Sequence, residues 1–268
     1  MDLGIPFLIE NTSMEECICL CKSLGFQFVE WNMNFPQCQA ENFQVDMLNE
    51  MRRKENIYYT LHLEEAINFS DFNRRVREAY LETALESIEL AKKIKVPIIN
   101  MHLAKGIFIT LPDRKRFLFE EYSEIYYENM RKFRDECEKA IGGADIKMAV
   151  ENTDGFQPYE QKAIELLLES PCFGLTLDIG HSHAAGNMDI PFYEKNIGRL
   201  IHMHAHDAAG KKCHLAFGDG EINLRQRLSM AERVGARVVL ETKTVEALKK
   251  TRKYMEEHFQ DLLLETEI

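Results

Sequence analysis

A chain of 268 residues with 45% hydrophobic and 29% charged side chains can bury a large core, and its composition is neither that of a disordered protein nor that of a membrane-spanning one. No apolar run approaches the ~20 residues a transmembrane helix needs. A formal net charge of -11 speaks against nucleic acid and anionic membranes as partners, and the seven cysteines, an odd number without a Cys-x-x-Cys pair, point to a reducing compartment. The start of the chain, Met1-Asp2-Leu3-Gly4-Ile5-Pro6, has no signal-peptide pattern, so the expected location is cytoplasmic.

In chain order, Leu3 to Ile9 reads as a first strand, and Ser13-x-x-Glu16 as the capping box of a helix that ends before Gly25. Cys17, Cys19 and Cys21 fall in that helix, where alternate residues do not share a face, so they read as small buried residues and not as a metal site. Phe26 to Met33 is a second strand carrying Glu30 and Trp31 near its end, followed by a helix from about Glu41 to Lys54. Ile57 to Leu63 is a third strand, ending in His62. The helix from about Asp71 to Ile94 places Val76, Tyr80, Ala84, Ile88 and Ala91 on one face.

The fourth strand starts at Pro97 and ends around His102, and a loop leads to a helix from about Lys115 to Ala140, stopped by Gly142-Gly143. Lys147 to Asn152 forms the fifth strand with Glu151. A helix over Tyr159 to Leu168 precedes the sixth strand, Phe173 to Asp178. The seventh is Leu200-Ile201-His202-Met203-His204-Ala205-His206-Asp207, in which imidazoles alternate with apolar residues at the strand period of two. A strand of this kind delivers ligands into a polar pocket, or else lies on a sheet edge with its histidines in solvent. Beyond a loop at Gly218-Asp219-Gly220 come a helix (Leu224 to Val234), a strand (Arg237 to Glu241) and a last helix (Val245 to Leu263).

Eight strands alternating with helices, and no Gly-x-Gly-x-x-Gly loop after the first, predict a single (β/α)8 TIM barrel occupying residues 1–268. Active sites of such barrels lie at the C-terminal strand ends, and strands three to eight end in His62, His102, Glu151, Asp178, His204 and Glu241. Each has apolar neighbours, so by alternation the polar side chain faces the barrel axis. Of the nine histidines only His258 lies away from a strand end or the loop beyond it. Imidazoles converging with carboxylates from Glu151, Asp178 and Glu241 form the ligand set of a divalent metal such as manganese, cobalt or zinc, the alternative being a buried, mutually hydrogen-bonded cluster.

Through Val150-Glu151-Asn152, Leu177-Asp178-Ile179-Gly180-His181, His204-Ala205-His206-Asp207, His214 with Gly218-Asp219-Gly220-Glu221-Ile222, and Leu240-Glu241-Thr242, the chain resembles the xylose-isomerase-like barrel superfamily. That superfamily includes sugar isomerases, epimerases, inosose dehydratases and endonuclease IV. The isomerase and epimerase pattern implies Glu151, Asp178, His204 and Glu241 as ligands of one divalent metal (manganese, cobalt, zinc or magnesium), with Glu151 and Glu241 as the catalytic proton carriers. His181 and His214 would contact substrate, His62 and His102 would line the pocket, and Glu30 and Trp31, at the end of strand two, could shape it, with a packing role the equal alternative for Trp31. The endonuclease IV pattern would recruit His62, His102, His181 and His214 to a three-zinc cluster, but it expects an aspartate where this chain has Lys212.

The first expectation is therefore a metal-dependent isomerase or epimerase of a small sugar or polyol, working through a metal-stabilised enediolate. The alternatives are a zinc phosphodiesterase acting on abasic-site DNA and a carbohydrate-binding or regulatory barrel without turnover. The expected partner is a small sugar or polyol rather than nucleic acid or membrane, with room for a homo-oligomer.

Overall fold

A computed structural model describes residues 1–264; residues 265–268 of the expected domain lie outside the described residues. Eight parallel strands close into a barrel: β1 (Leu3–Pro6), β2 (Phe28–Asn32), β3 (Tyr58–His62), β4 (Ile98–His102), β5 (Lys147–Glu151), β6 (Phe173–Asp178), β7 (Leu200–Ala205) and β8 (Arg237–Leu240). Each strand pairs with its neighbours in sequence, and β1 pairs with β8 to complete the ring. The fold is a (β/α)8 TIM barrel, as the strand and helix alternation predicts.

The helices pack outside: α1 (Met14–Ser23), α2 (Val45–Lys54), α3 (Arg74–Ile94), α4 (Leu118–Glu121), α5 (Ser123–Ile141), α6 (Pro158–Leu168), α7 (Ile179–Ala184), α8 (Ile190–Lys195), α9 (Leu224–Val234), α10 (Val245–His258) and α11 (Gln260–Leu264). At the start of α1 the Ser13 hydroxyl accepts the Glu16 N–H at 3.1 Å. The Glu16 carboxylate reaches back to Thr12, one residue before the N-cap, and accepts its N–H at 2.6 Å and its hydroxyl at 2.8 Å. On α3 the predicted face holds in its C-terminal half, where Ala84, Ile88 and Ala91 are fully buried, whereas Val76 near its start is exposed.

Alternation along the strands builds the site. Val29, Trp31, Tyr59, Leu61, Ile99, Met101, Val150, Leu177 and Met203 belong to the buried apolar core, while Glu30, Thr60, His62, Asn100, Glu151, Thr176, Asp178, His202 and His204 occupy the other phase. Below them Phe28 crosses the barrel floor, stacked on Tyr58 at 5.1 Å between ring centroids. Gly4 makes room for it, since a Cβ there would lie 2.5 Å from the Phe28 ring. The β6–β7 register shifts between Leu175 and Thr176, so that Thr176 sits opposite His202 and Asp178 opposite His204. The irregularity sets the histidines of β7 level with the carboxylate of β6.

Several predicted boundaries give way. β1 ends at Pro6, although the Phe7 N–H still bonds the Glu30 carbonyl at 2.8 Å. The helix expected from Lys115 is replaced at its start by a hairpin, Phe108–Thr110 against Lys115–Phe117, closed by the Leu111 N–H to the Arg114 carbonyl at 2.8 Å across Pro112-Asp113. Phe117 packs on Phe108 and Tyr159, a strand-like pairing that outweighs the helical spacing. The helix predicted over Glu41 to Lys54 begins only at Val45, after a 3-10 turn at Ala40–Asn42. The last helix breaks at Phe259, where φ is −136° and ψ is 40°. The short helices α7 and α8, and the hairpin Asp207–Ala209 with Lys212–Leu215, span too few residues for periodicity to reveal. Among the described residues no helix is long and apolar enough to cross a membrane.

Candidate metal centre

Glu151 at the end of β5, Asp178 at the end of β6, His204 on β7 and Glu241 just after β8 converge at the C-terminal mouth of the barrel. One ligand atom from each lies within 4.8 Å of the others. This is close to the spacing of donors about 2.0–2.2 Å from a single ion. His204 Nδ1 is 3.2 Å from Glu151 Oε1 and 3.4 Å from Glu241 Oε2. Both His204 Nδ1 and Glu241 Oε2 are buried without a hydrogen-bond partner. Glu241 Oε2 is a buried carboxylate oxygen without a donor, costly for a protein left to itself and suited to a cation, so the donor set fits a divalent metal.

Burial and charge act against each other in this set. Burial pushes the Glu151 carboxyl up, but His204 and His102 overcome it and hold the group well below the usual carboxylate range. Glu241 is also raised by burial and brought well below by His204 and Lys243. In return burial opposes the charge on His204, and Glu151, Glu30 and Glu241 raise it well above an ordinary imidazole. Three carboxylates around one ring thus favour its charged form in the metal-free protein.

Other residues fix these four side chains. Asn100 donates to Glu151 Oε2 and accepts the Thr176 hydroxyl at 2.6 Å. Asn152 accepts the Asp178 N–H at 2.8 Å and donates to its carbonyl at 2.9 Å, with Tyr193 bonding Asn152 from below at 2.8 Å. The Lys243 ammonium donates to Glu241 Oε1 at 2.6 Å. His206, fully buried, lies 3.1 Å from the Asp178 carboxylate. Asp207 binds no ligand group; its carboxylate accepts the N–H groups of Ala208, Gly218, Gly220 and Ile222, which explains the Gly218-Asp219-Gly220 motif as an anchored loop. Sequence reasoning missed Asn100 and Lys243. The signal for Asn100 was its inward phase, two residues before His102, and for Lys243 its position two residues after Glu241.

Of the expected pocket residues, His62 and His102 flank Glu151, each with Nε2 3.4 Å from Oε2. Burial works against charge on His62, but Glu151 raises it to about 9. His181 and His214 sit on the other side of the mouth, their ring centroids 5.2 Å apart, and both side chains are partly exposed. Burial lowers His214 to about 4. A cavity of about 320 Å³ opens beside Glu241, bordered by Leu8, Asn32, Phe35, Glu65 and Lys243.

Two expected residues do not line the pocket. Trp31 occupies the outward phase of β2, fully buried against Phe7, Phe43 and Tyr59 in the core under the helices. Glu30 does face inward, but it lies beneath the ligands and is closed to solvent: its oxygens are 2.7 Å from His204 Nε2 and 2.8 Å from His202 Nε2, and it accepts the Thr60 hydroxyl at 2.9 Å. It supports His204 from the side away from the mouth. The edge-strand alternative for β7 also falls, because His202, His204 and His206 are all fully buried.

The model of the xylose isomerase-like TIM barrel family matches residues 18–260. The chain belongs to that family. Among sequence relatives, the uncharacterized protein MJ1311 of Methanocaldococcus jannaschii is 28% identical over 229 residues, covering 81% of this chain and 75% of its own length. Among solved structures, a D-tagatose 3-epimerase-like protein superposes with a TM-score of 0.79 at 23% identity, with 99% of each chain covered. The IolI protein, solved with a zinc atom bound, superposes at 0.73 and 18% identity, covering 99% of this chain and 98% of that one. At these identities the two structures establish the shared fold.

Proposed function

We propose that the protein is a metal-dependent isomerase or epimerase of a small sugar or polyol, acting by proton transfer next to a carbonyl. The observation that carries this reading is the buried set Glu151, Asp178, His204 and Glu241, one ligand atom of each within 4.8 Å of the others. These four residues would hold one divalent cation, manganese, cobalt, zinc or magnesium. When bound, such a cation supplies Lewis-acid stabilisation of the negative charge that develops on substrate oxygens during enolisation. The epimerase-like neighbour and the zinc-bound IolI protein support both halves of the reading.

Glu151 and Glu241 flank His204 from different strands and carry the proton: one removes it from the substrate carbon and the other returns it. Their environments suit the task, since each commits one oxygen to a protein donor, Asn100 for Glu151 and Lys243 for Glu241. The other oxygen of each lies toward His204 Nδ1. His181 and His214, at the open side of the mouth, orient substrate hydroxyls.

The test follows solvent deuterium into candidate ketoses with protein loaded with manganese or cobalt, alongside mass-spectrometric metal analysis. Deuterium uptake at one carbon with one metal per chain is expected. A second reading, a zinc phosphodiesterase for abasic-site DNA, draws on the two further imidazoles that His62 and His102 bring to Glu151. Three zinc ions per chain, with strong cleavage of abasic-site DNA and no deuterium uptake from any sugar, would establish it and overturn the first.

A further inference from the structure

We propose that His206 is a positioning residue which ties the ligand Asp178 to the hairpin that carries His214. The inference rests on the reading of Asp178 as a metal ligand. His206 follows β7 directly, and its ring is fully buried between β6 and the hairpin Asp207–Ala209/Lys212–Leu215. Nδ1 accepts the backbone N–H of His214 at 2.8 Å, a closer approach than the 3.2 Å to the Asp207 carbonyl. An Nδ1 that accepts leaves the proton on Nε2, and Nε2 then donates to Asp178 at 3.1 Å. One ring thus joins a carboxylate acceptor to a backbone donor on opposite sides, which neither an apolar side chain nor a lysine can do.

Two further features show that the ring is built in. A Cβ at Gly180 would lie 1.9 Å from His206 Cε1 and 2.2 Å from Nδ1, so the ring seats directly on the bare Cα of Gly180 in α7. His214, held by the other end of the bridge, has φ of 59°, a left-handed conformation uncommon outside glycine. The second oxygen contact of Asp178 is also fixed, Oδ1 accepting the His181 N–H at 2.7 Å. His206 Nε2 is 3.1 Å from both Asp178 oxygens, so the two contacts together limit rotation of the carboxylate that lies beside Glu151, His204 and Glu241. Loss of His206 frees the carboxylate to turn and removes the anchor that sets His214 at the mouth.

The experiment compares full-length wild type, His206→Phe, His206→Gln and Gly180→Ala. Cobalt(II) affinity comes from calorimetry, site geometry from the cobalt(II) visible spectrum, and folding from melting of the metal-free proteins. His206→Phe is expected to weaken cobalt binding about 10–100-fold and to shift the visible bands, the usual scale for removal of a residue that orients a metal ligand. His206→Gln, which keeps one donor and one acceptor, restores most of the affinity. Gly180→Ala displaces the ring and moves affinity and spectrum in the direction of His206→Phe, and it decides the matter if the phenylalanine variant does not fold. Unchanged affinity and spectrum in both His206→Phe and Gly180→Ala would overturn the proposal. Loss of one of two bound ions in His206→Phe would also overturn it, by making His206 a ligand together with His181 and His214. Failure of wild type to take up cobalt defeats the metal reading itself, so the two failures are distinguishable.

Discussion

Two buried clusters of carboxylate and imidazole share His204, and they differ in how many carboxylates meet and in where they lie along the barrel axis. On the floor side, Glu30 has both oxygens engaged, by His204, His202 and the Thr60 hydroxyl, and nothing reaches it from solvent. On the mouth side, three carboxylates surround the other nitrogen of the same ring, and Glu241 Oε2 and His204 Nδ1 have no hydrogen-bond partner. The lower cluster sets one carboxylate between two imidazoles, closed to solvent; the upper one gathers three carboxylates about one ring nitrogen at the mouth of the barrel. Burial alone does not mark a candidate site; convergence of several ligand-type side chains at the C-terminal strand ends does.

The largest expected effect comes from removing charge on the mouth side. Glu151→Gln and Glu241→Gln should each lower proton exchange at the substrate carbon by about 10²–10⁴-fold, the range for loss of a general acid or base. Each amide also weakens metal binding, so exchange is to be measured at saturating manganese. Retained exchange in Glu151→Gln with metal bound would move the base elsewhere, with His181 and His214 next.

The floor side should fail differently. Glu30→Gln takes the negative charge from under two imidazoles and is expected to cost about 3–5 kcal/mol of stability, the scale for breaking a buried pair by removing one partner. Burial works against ionisation of Glu30, and His204 and His202 hold it well below the usual range nonetheless, so the charge belongs to the folded state. Urea unfolding of the metal-free protein measures the loss. A stability equal to wild type, with only metal affinity reduced, would erase the distinction between the two clusters.

How much of this was legible in the sequence follows from the same physics. Period two and the strand ends gave the barrel and the inward phase of His62, Glu151, Asp178 and His204, because both are local consequences of backbone geometry. Phase also separates Glu30 from Trp31, but depth along the axis does not appear in alternation: Glu30 reads like a pocket residue and lies a layer too low. The bridge through His206 needs the register of β6 on β7 and the fold of a short hairpin, neither of which leaves a periodic trace. The first turn of the predicted Lys115 helix was lost to a hairpin for the same reason, a tertiary contact of Phe117 overriding spacing.

Another buried carboxylate sharpens the contrast, because it has no imidazole beside it. Glu160 on α6 is buried, and burial raises its carboxyl from 4.5 to about 7, while its side chain accepts the Gln157 N–H at 2.8 Å. Between those values the folded protein keeps a proton that the unfolded chain has lost. The contribution is therefore full below 4.5 and is lost as pH rises through about 7, a change of about 3 kcal/mol. Glu160→Gln cannot titrate, so urea midpoints of wild type and variant should diverge between pH 5 and pH 7.5, the variant gaining relative to wild type at the higher value. Parallel midpoints would show that Glu160 ionises normally despite its burial.

The smallest effect is expected at Lys212, and it bears on which chemistry the mouth supports. Lys212 is exposed at the start of the hairpin strand that carries His214, and its pairing partner is Ala209. No residue of the buried set depends on it: the Asp178 carboxylate is held by His206 and His181, and Glu241 by Lys243. Lys212→Ala should change stability by less than about 0.5 kcal/mol, as exposed substitutions do, and should leave metal count and deuterium exchange as in wild type. Lys212→Asp supplies the carboxylate that a three-zinc site would use. If the barrel works with one metal, this variant still binds one, because His206 continues to occupy Asp178 and the turn at His214 keeps its left-handed backbone. Acquisition of further zinc and of abasic-site cleavage by Lys212→Asp would show instead that a single side chain separates the two chemistries, and that the mouth is already arranged for the second.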